Sequence, residues 1–141
     1  PPTQLYEKPE NAFVANFIGE NNRLMGTVEA INGDQVTVKT DSGDIVIATK
    51  ANVNSVGERT TISLRPERIL VAPATGKTPN TYSAKVEELI YHGDHIRTRF
   101  SVCGNDEFIV KVPNSVDSKQ LQQGKEVSIG WMTEDCLALD G

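Results

Sequence analysis

The chain has 141 residues, 38% of them hydrophobic and 23% charged, the balance of a folded globular protein rather than a disordered or fibrous one. A net charge of −5 argues against a nucleic-acid partner, because phosphate backbones are held by basic faces. No apolar run reaches the roughly 18–20 residues of a membrane-spanning helix, and no signal-peptide pattern opens the sequence.

Residues 3–19 are the one convincing helical segment. Thr3 can cap a short turn that Pro9 ends, and a second helix starts near Asn11 and stops at Gly19. Phe13, Val14, Phe17 and Ile18 recur at i, i+1, i+4 and i+5, an apolar stripe that must be buried against something. A first residue of proline rather than methionine is expected of a piece of a longer protein, and the stripe's natural partner is a domain outside this sequence.

Beyond the stripe the pattern changes to period two. Strands are predicted over 24–31, 35–40, 45–47 and 59–64, with turns at Asn32-Gly33-Asp34 and Asp41-Ser42-Gly43; residues 53–56 stay ambiguous. Asn-Gly favours a tight hairpin because both residues tolerate positive φ. Arg65-Pro66-Glu67 interrupts the apolar alternation and Ile69-Leu70-Val71 resumes it, so strand, charged corner and strand fit into few residues. Residues 73–80 have linker composition. Further strands are predicted over 82–91, 96–103, 108–112, 127–131 and 136–139, with a turn at Gly104-Asn105-Asp106 and a polar loop carrying one helical turn over 116–123.

The pattern repeats. Laid without a gap over residues 124–138, residues 57–71 place Ile62 on Ile129, Leu64 on Trp131, Glu67 on Glu134 and Leu70 on Leu137. Val28-Glu29-Ala30-Ile31 likewise matches Val86-Glu87-Glu88-Leu89. The fold class implied is mainly β, a small barrel of two related units, about 22–72 and 81–140, joined by the linker 73–80 and preceded by the short helical segment. Each unit is expected to close with its own strand–acidic corner–strand. The units should share one core, since a sheet of about 40–60 residues buries too little surface alone.

Catalytic chemistry is hard to place. Gly124-Lys125 is the only fragment of a phosphate-binding loop, and it fails on both sides, with Lys119 where a glycine should stand and Glu126 after the lysine. His92 and His95 flank Gly93-Asp94 without a third ligand at metal spacing and read as a solvated hairpin. No serine lies in a Gly-flanked elbow, and Glu87-Glu88 on a strand should point to opposite faces. Cys103 and Cys136, too few and too far apart for zinc or a redox pair, sit in apolar strand patterns and read as small buried hydrophobes. Trp131 reads as core, its indole N–H needing one acceptor. Arg65-Pro66-Glu67 remains as the candidate site. Either Arg65 and Glu67 satisfy local backbone or each other, or the corner meets a partner, where the fixed donor fork of arginine is valuable.

The stretch Leu5-Tyr6-Glu7-Lys8-Pro9-Glu10-Asn11-Ala12-Phe13-Val14-Ala15-Asn16-Phe17-Ile18-Gly19-Glu20-Asn21 resembles the end of the ATPase domain in bacterial ABC importers. Ser63-Leu64-Arg65-Pro66-Glu67 resembles the arginine-proline-glutamate signature of the regulatory TOBE domain that follows it. Val127-Ser128-Ile129-Gly130-Trp131 and the ending Leu137-Ala138-Leu139-Asp140 are most similar to the polyamine (spermidine/putrescine) type, ahead of the iron and sugar types. The resemblance implies that residues 1–21 are the tail of an ATPase domain, with Phe13, Val14, Phe17 and Ile18 packed on it, and that residues 22–141 form an OB-like β-barrel. It implies a cytoplasmic subunit, peripheral to the inner membrane through a permease and working as a homodimer. It carries over no catalytic residue, metal ligand or cofactor-binding residue, because ATP and magnesium belong to the ATPase domain. The alternative is a sensing domain for a small solute or oxyanion.

Overall fold

The computed structural model describes residues 21–113 and 121–140. The expected helical segment, with Phe13, Val14, Phe17 and Ile18, and residues 116–120 of the polar loop lie outside the described residues.

Among the described residues the chain is almost wholly β. The strands are β1 (Asn22–Asn32), β2 (Gln35–Thr40), β3 (Ile45–Lys50), β4 (Arg59–Leu64), β5 (Leu70–Val71), β6 (Asn80–Tyr91), β7 (His95–Val102), β8 (Asn105–Pro113), β9 (Glu126–Trp131) and β10 (Cys136–Asp140). Two 3-10 turns, Pro66–Arg68 and Thr133–Asp135, join β4 to β5 and β9 to β10. These pieces form two compact units, one built from residues up to Arg65 together with those from Thr133 onward, the other from Pro66–Met132.

The first unit is a closed barrel in the order β1-β2-β3-β10-β4. Its long first strand pairs with β4 through Asn22–Thr27 positions and with β2 from Gly26 onward, so β1 must coil sharply where the two pairings overlap. Gly26 sits at that bend, and a Cβ there would meet the Lys39 carbonyl oxygen at 2.6 Å. Alternate positions point inward, and Leu24, Val28, Val36, Val38, Val46 and Ile62 are buried as the period-two pattern demands. The second unit has the sheet order β5-β9-β6-β7-β8, with Val86, Phe100, Phe108, Val110, Ile129 and Trp131 as its core.

The internal repeat is kept down to single hydrogen bonds. Both β4 and β9, and both 3-10 turns, are displaced by the same spacing that aligned Ile62 with Ile129. Each long strand carries a bulge in the same place: the register slips between Val28 and Ala30 on β1 and between Val86 and Glu88 on β6. The Val28 N–H donates to the Glu58 carbonyl and the Val28 carbonyl accepts from the Gly57 N–H; Val86 does the same with Lys125 and Gly124. Unbroken alternation over 24–31 does not foresee this. The extra residue, Glu29 or Glu87, passes the inward set to the other parity, so that Ile31 stands opposite buried Val36 and Leu89 opposite buried Thr98.

The structure departs from the sequence reading in four further places. The corner segments do not close their own repeats: β5 pairs with β9, while β10 pairs with β4 and, in parallel, with β3. In chain order the first unit is β1-β2-β3-β4-β10 and the second is β5-β6-β7-β8-β9, the same arrangement with its fifth strand moved from last to first. Unit boundaries therefore fall at Arg65/Pro66 and Met132/Thr133 rather than in the stretch 73–80. That stretch packs within the second unit: Ala72 N–H donates to the Ser128 carbonyl at 2.7 Å, Thr78 is buried, and Asn80 already belongs to β6.

Turns account for the other differences. Asn32 pairs with Gln35, and Gly33 takes positive φ (60°) while neither neighbour does, so glycine and not asparagine supplies the left-handed step. Val102 pairs with Asn105, leaving a two-residue turn of Cys103 and Gly104 with φ of 51° and 77°. Cys103 is thus a half-exposed turn residue and not a core hydrophobe, whereas Cys136 is fully buried. A type I′ turn needs positive φ at both central residues and favours Asn-Gly. Cys103→Asn is therefore expected to raise stability by roughly 0.5–1 kcal/mol, read from the urea midpoint, because asparagine tolerates the left-handed region that cysteine resists.

Candidate functional site

The Arg65-Pro66-Glu67 corner begins where β4 ends at buried Leu64. Proline opens the 3-10 turn at no hydrogen-bonding cost, since the first N–H of a helical turn has no partner in any case. Its ring is buried, whereas Arg65 and Glu67 are exposed. Among the described residues neither makes a hydrogen bond or ion pair, so they do not pair with each other. The result is an anchored proline carrying an outward cation and an outward anion.

The repeat corner differs in charge and attachment. Met132 and Thr133 stand in place of Arg65 and Pro66, the glutamate is kept as Glu134, Asp135 stands in place of Arg68, and the Thr133 carbonyl accepts from Thr49 Oγ1 at 3.0 Å. One corner thus offers both signs of charge and the other only acids.

The remaining sequence candidates separate into structural roles. Gly124, at φ 85°, donates its N–H to the Val86 carbonyl at 2.7 Å, so Gly124-Lys125 shapes the entry to β9. Glu87 Oε2 accepts from Ser101 Oγ at 2.6 Å, while Glu88 Oε1 lies 3.7 Å from Arg99 Nε, so each carboxylate has its own partner. His92 and His95 stack with ring centroids 4.7 Å apart, and His95 Nδ1 lies 2.7 Å from Asp94 Oδ1. The hydrogen bond with His95 is the main cause holding the Asp94 carboxyl below its ordinary value. Among the described residues no three His, Cys, Asp or Glu side chains converge as a metal site. Trp131 is core, stacked on Phe108 at 5.6 Å, and its indole N–H has no acceptor among the described residues.

Sequence reading overlooked one ion pair. Arg59 Nη1 and Nη2 donate to Asp41 Oδ1 and Oδ2 at 2.7 and 2.9 Å, tying the start of β4 to the β2–β3 turn. No sequence spacing marks this pair; the barrel register creates it. The Arg59 hydrogen bonds, joined by the guanidinium charge, hold the Asp41 carboxyl below its ordinary value against the opposing effect of burial. A depressed carboxyl stabilises the fold above its unfolded value, about 3.9, and that contribution is lost as pH falls through the lower folded value. Asp41→Asn is therefore expected to fall less steeply in stability below about pH 4 than the parent, with a small difference at neutral pH because both side chains face solvent. Urea midpoints measured against pH for the two proteins check this.

The described residues thus form two five-stranded, OB-like units, the second of which opens on the charged proline corner. The sequence profile of the TOBE domain matches residues 62–139, and the chain belongs to that family. It is 34% identical to the spermidine/putrescine import ATP-binding protein of Rubrobacter xylanophilus, over 99% of this chain and 37% of that protein. Against the protein of the same description from Trichodesmium erythraeum it is 31% identical, over 98% of this chain and 38% of that one. The chain thus spans little more than a third of these relatives. Among solved structures, the cytoplasmic molybdate-binding protein ModG, with molybdate bound, shares the fold with a TM-score of 0.73 at 16% identity, over 85% of this chain and 96% of that one.

Proposed function

We propose that this chain is the C-terminal regulatory and dimer-supporting domain of the ATP-binding subunit of a bacterial ABC importer for polyamines or a related small solute. The supporting observation is similarity along nearly the whole chain to about a third of spermidine/putrescine import ATP-binding proteins. On this reading the apolar stripe Phe13, Val14, Phe17 and Ile18 packs on the ATPase domain, which binds ATP and magnesium. The subunit pairs with a second copy on the cytoplasmic side of a permease, without nucleic acid. Among the described residues no helix is long and apolar enough to cross a membrane, which fits attachment through a permease. Arg65 and Glu67 are the groups offered to a partner, since their exposure and the lack of a bond to any described residue leave their charge available.

The test is the full-length subunit with and without residues 22–141. Removal is expected to weaken dimerisation and to release ATP hydrolysis from permease control. Unchanged behaviour in both would end the proposal. Arg65→Ala with Glu67→Ala is the finer version, expected to leave the urea midpoint in place while weakening that control.

A sensing role is the second reading, supported by fold likeness to a protein whose structure holds molybdate. Calorimetry of this chain with spermidine, putrescine and molybdate separates the two. Silence favours the interaction module, and tight binding the sensor.

A further inference from the structure

The second unit is one unbroken stretch, Pro66–Met132, inserted in the sequence between two strands of the first that pair with each other. Leu64 pairs with Cys136 and Ser63 with Leu137, so β4 and β10 form an antiparallel hairpin whose loop is an entire folded unit. The chain leaves through Arg65-Pro66 and returns through Met132-Thr133. Both crossings are anchored, the first by the buried Pro66 ring and the second by the bond from Thr49 to the Thr133 carbonyl.

We propose that this nesting is a coupling device, through which a change in the stability of either unit is transmitted to the other by way of the two crossings. The physical cause is loop closure. While Pro66–Met132 is folded, its ends are fixed and the β4–β10 hairpin closes on a preformed connection. When it melts, the same hairpin must close a long flexible loop, whose entropic cost rises with the logarithm of its length. Linkage makes the effect mutual: the paired β4 and β10 hold the ends of the inserted unit together and so disfavour its unfolding by the same factor. A partner or ligand that stabilises one unit then tightens the other without touching it. The Arg65-Pro66-Glu67 corner lies on this route, at the exit from β4. The inference holds whatever the domain regulates.

The experiment is amide hydrogen exchange on the whole chain. Val46→Ala removes buried volume from β3 in the first unit. It is expected to lower protection of the Thr98 and Val110 amides, on β7 and β8 of the second unit, by about tenfold or more. The same substitution is then made in a chain with flexible glycine-serine segments inserted at both crossings, between Arg65 and Pro66 and between Met132 and Thr133. There the transmitted loss is expected to shrink several-fold, because the hairpin already closes on a flexible connection. Unchanged protection of Thr98 and Val110 in the uninterrupted chain would overturn the proposal. So would an equal loss with and without the inserts, which would assign the coupling to packing. If Val46→Ala does not fold, Ile62→Val on β4 is the milder perturbation with the same readout.

Discussion

Trp131→Ala is expected to lower stability by about 3–5 kcal/mol, the range for emptying a large aromatic from a core. The side chain is wholly buried, stacked on Phe108 at 5.6 Å and set against Tyr82 at 5.1 Å. Domains of this size are stable by about 5–15 kcal/mol, so the variant would lie close to the threshold of folding at 37 °C. Because it removes the single tryptophan, far-UV circular dichroism in urea is the suitable measurement. Trp131→Phe provides the contrast. A ring is kept against Phe108, and the indole N–H, which has no acceptor among the described residues, is removed. A stranded buried donor costs about 1–3 kcal/mol, which offsets much of the lost volume. The phenylalanine variant is therefore expected to lose less than half as much as the alanine one. Equal losses would mean that the N–H is satisfied and that Trp131 contributes a hydrogen bond as well as volume.

Gly130→Ala is expected to cost about 1–3 kcal/mol, the usual penalty for adding volume where none is free. In the repeat the corresponding residue is Ser63, so the position as such accepts a side chain. What forbids one in the second unit is the chain crossing above it: a Cβ on Gly130 would meet Thr78 Oγ1, the Asn80 carbonyl oxygen at 2.7 Å and Thr78 Cβ at 3.1 Å. Thr78→Ala in the same chain is expected to recover only part of the loss, because the Asn80 oxygen belongs to the backbone of β6. A free linker over residues 73–80 would make Gly130→Ala nearly neutral. The urea midpoint therefore reports directly on whether this stretch is packed.

The reach of sequence reading can be judged from these residues. Period-two alternation located every long strand, and the match of Ile62 with Ile129 and Leu64 with Trp131 found the repeat, because both are local properties of the chain. The bulges at Glu29 and Glu87 escaped notice, although the matched Val28-Glu29 and Val86-Glu87 pairs were in view; a bulge breaks the alternation that strand reading relies on. Cys103 was misplaced because the apolar alternation carries the strand one residue too far, setting the turn at Gly104-Asn105-Asp106 rather than at Cys103-Gly104. At the candidate corner, sequence chemistry singled out Arg65-Pro66-Glu67, but only the fold exposes Arg65 and Glu67 while burying the proline between them.

By itself the amino-acid order determined the mainly β character, the duplicated pattern and the strand–corner–strand segments, since alternation, proline and glycine act over a few residues. Tertiary structure alone decided which edge each closing strand joined. Leu70 and Leu137 occupy equivalent places in the repeat, yet one lies beside Gly130 and the other beside Ser63, each across a corner from the repeat that precedes it. Nothing in a strand's own periodicity names its neighbour; the choice is made by which open edge the chain reaches after its corner, and here β5 reaches β9 while β10 reaches β4 and β3.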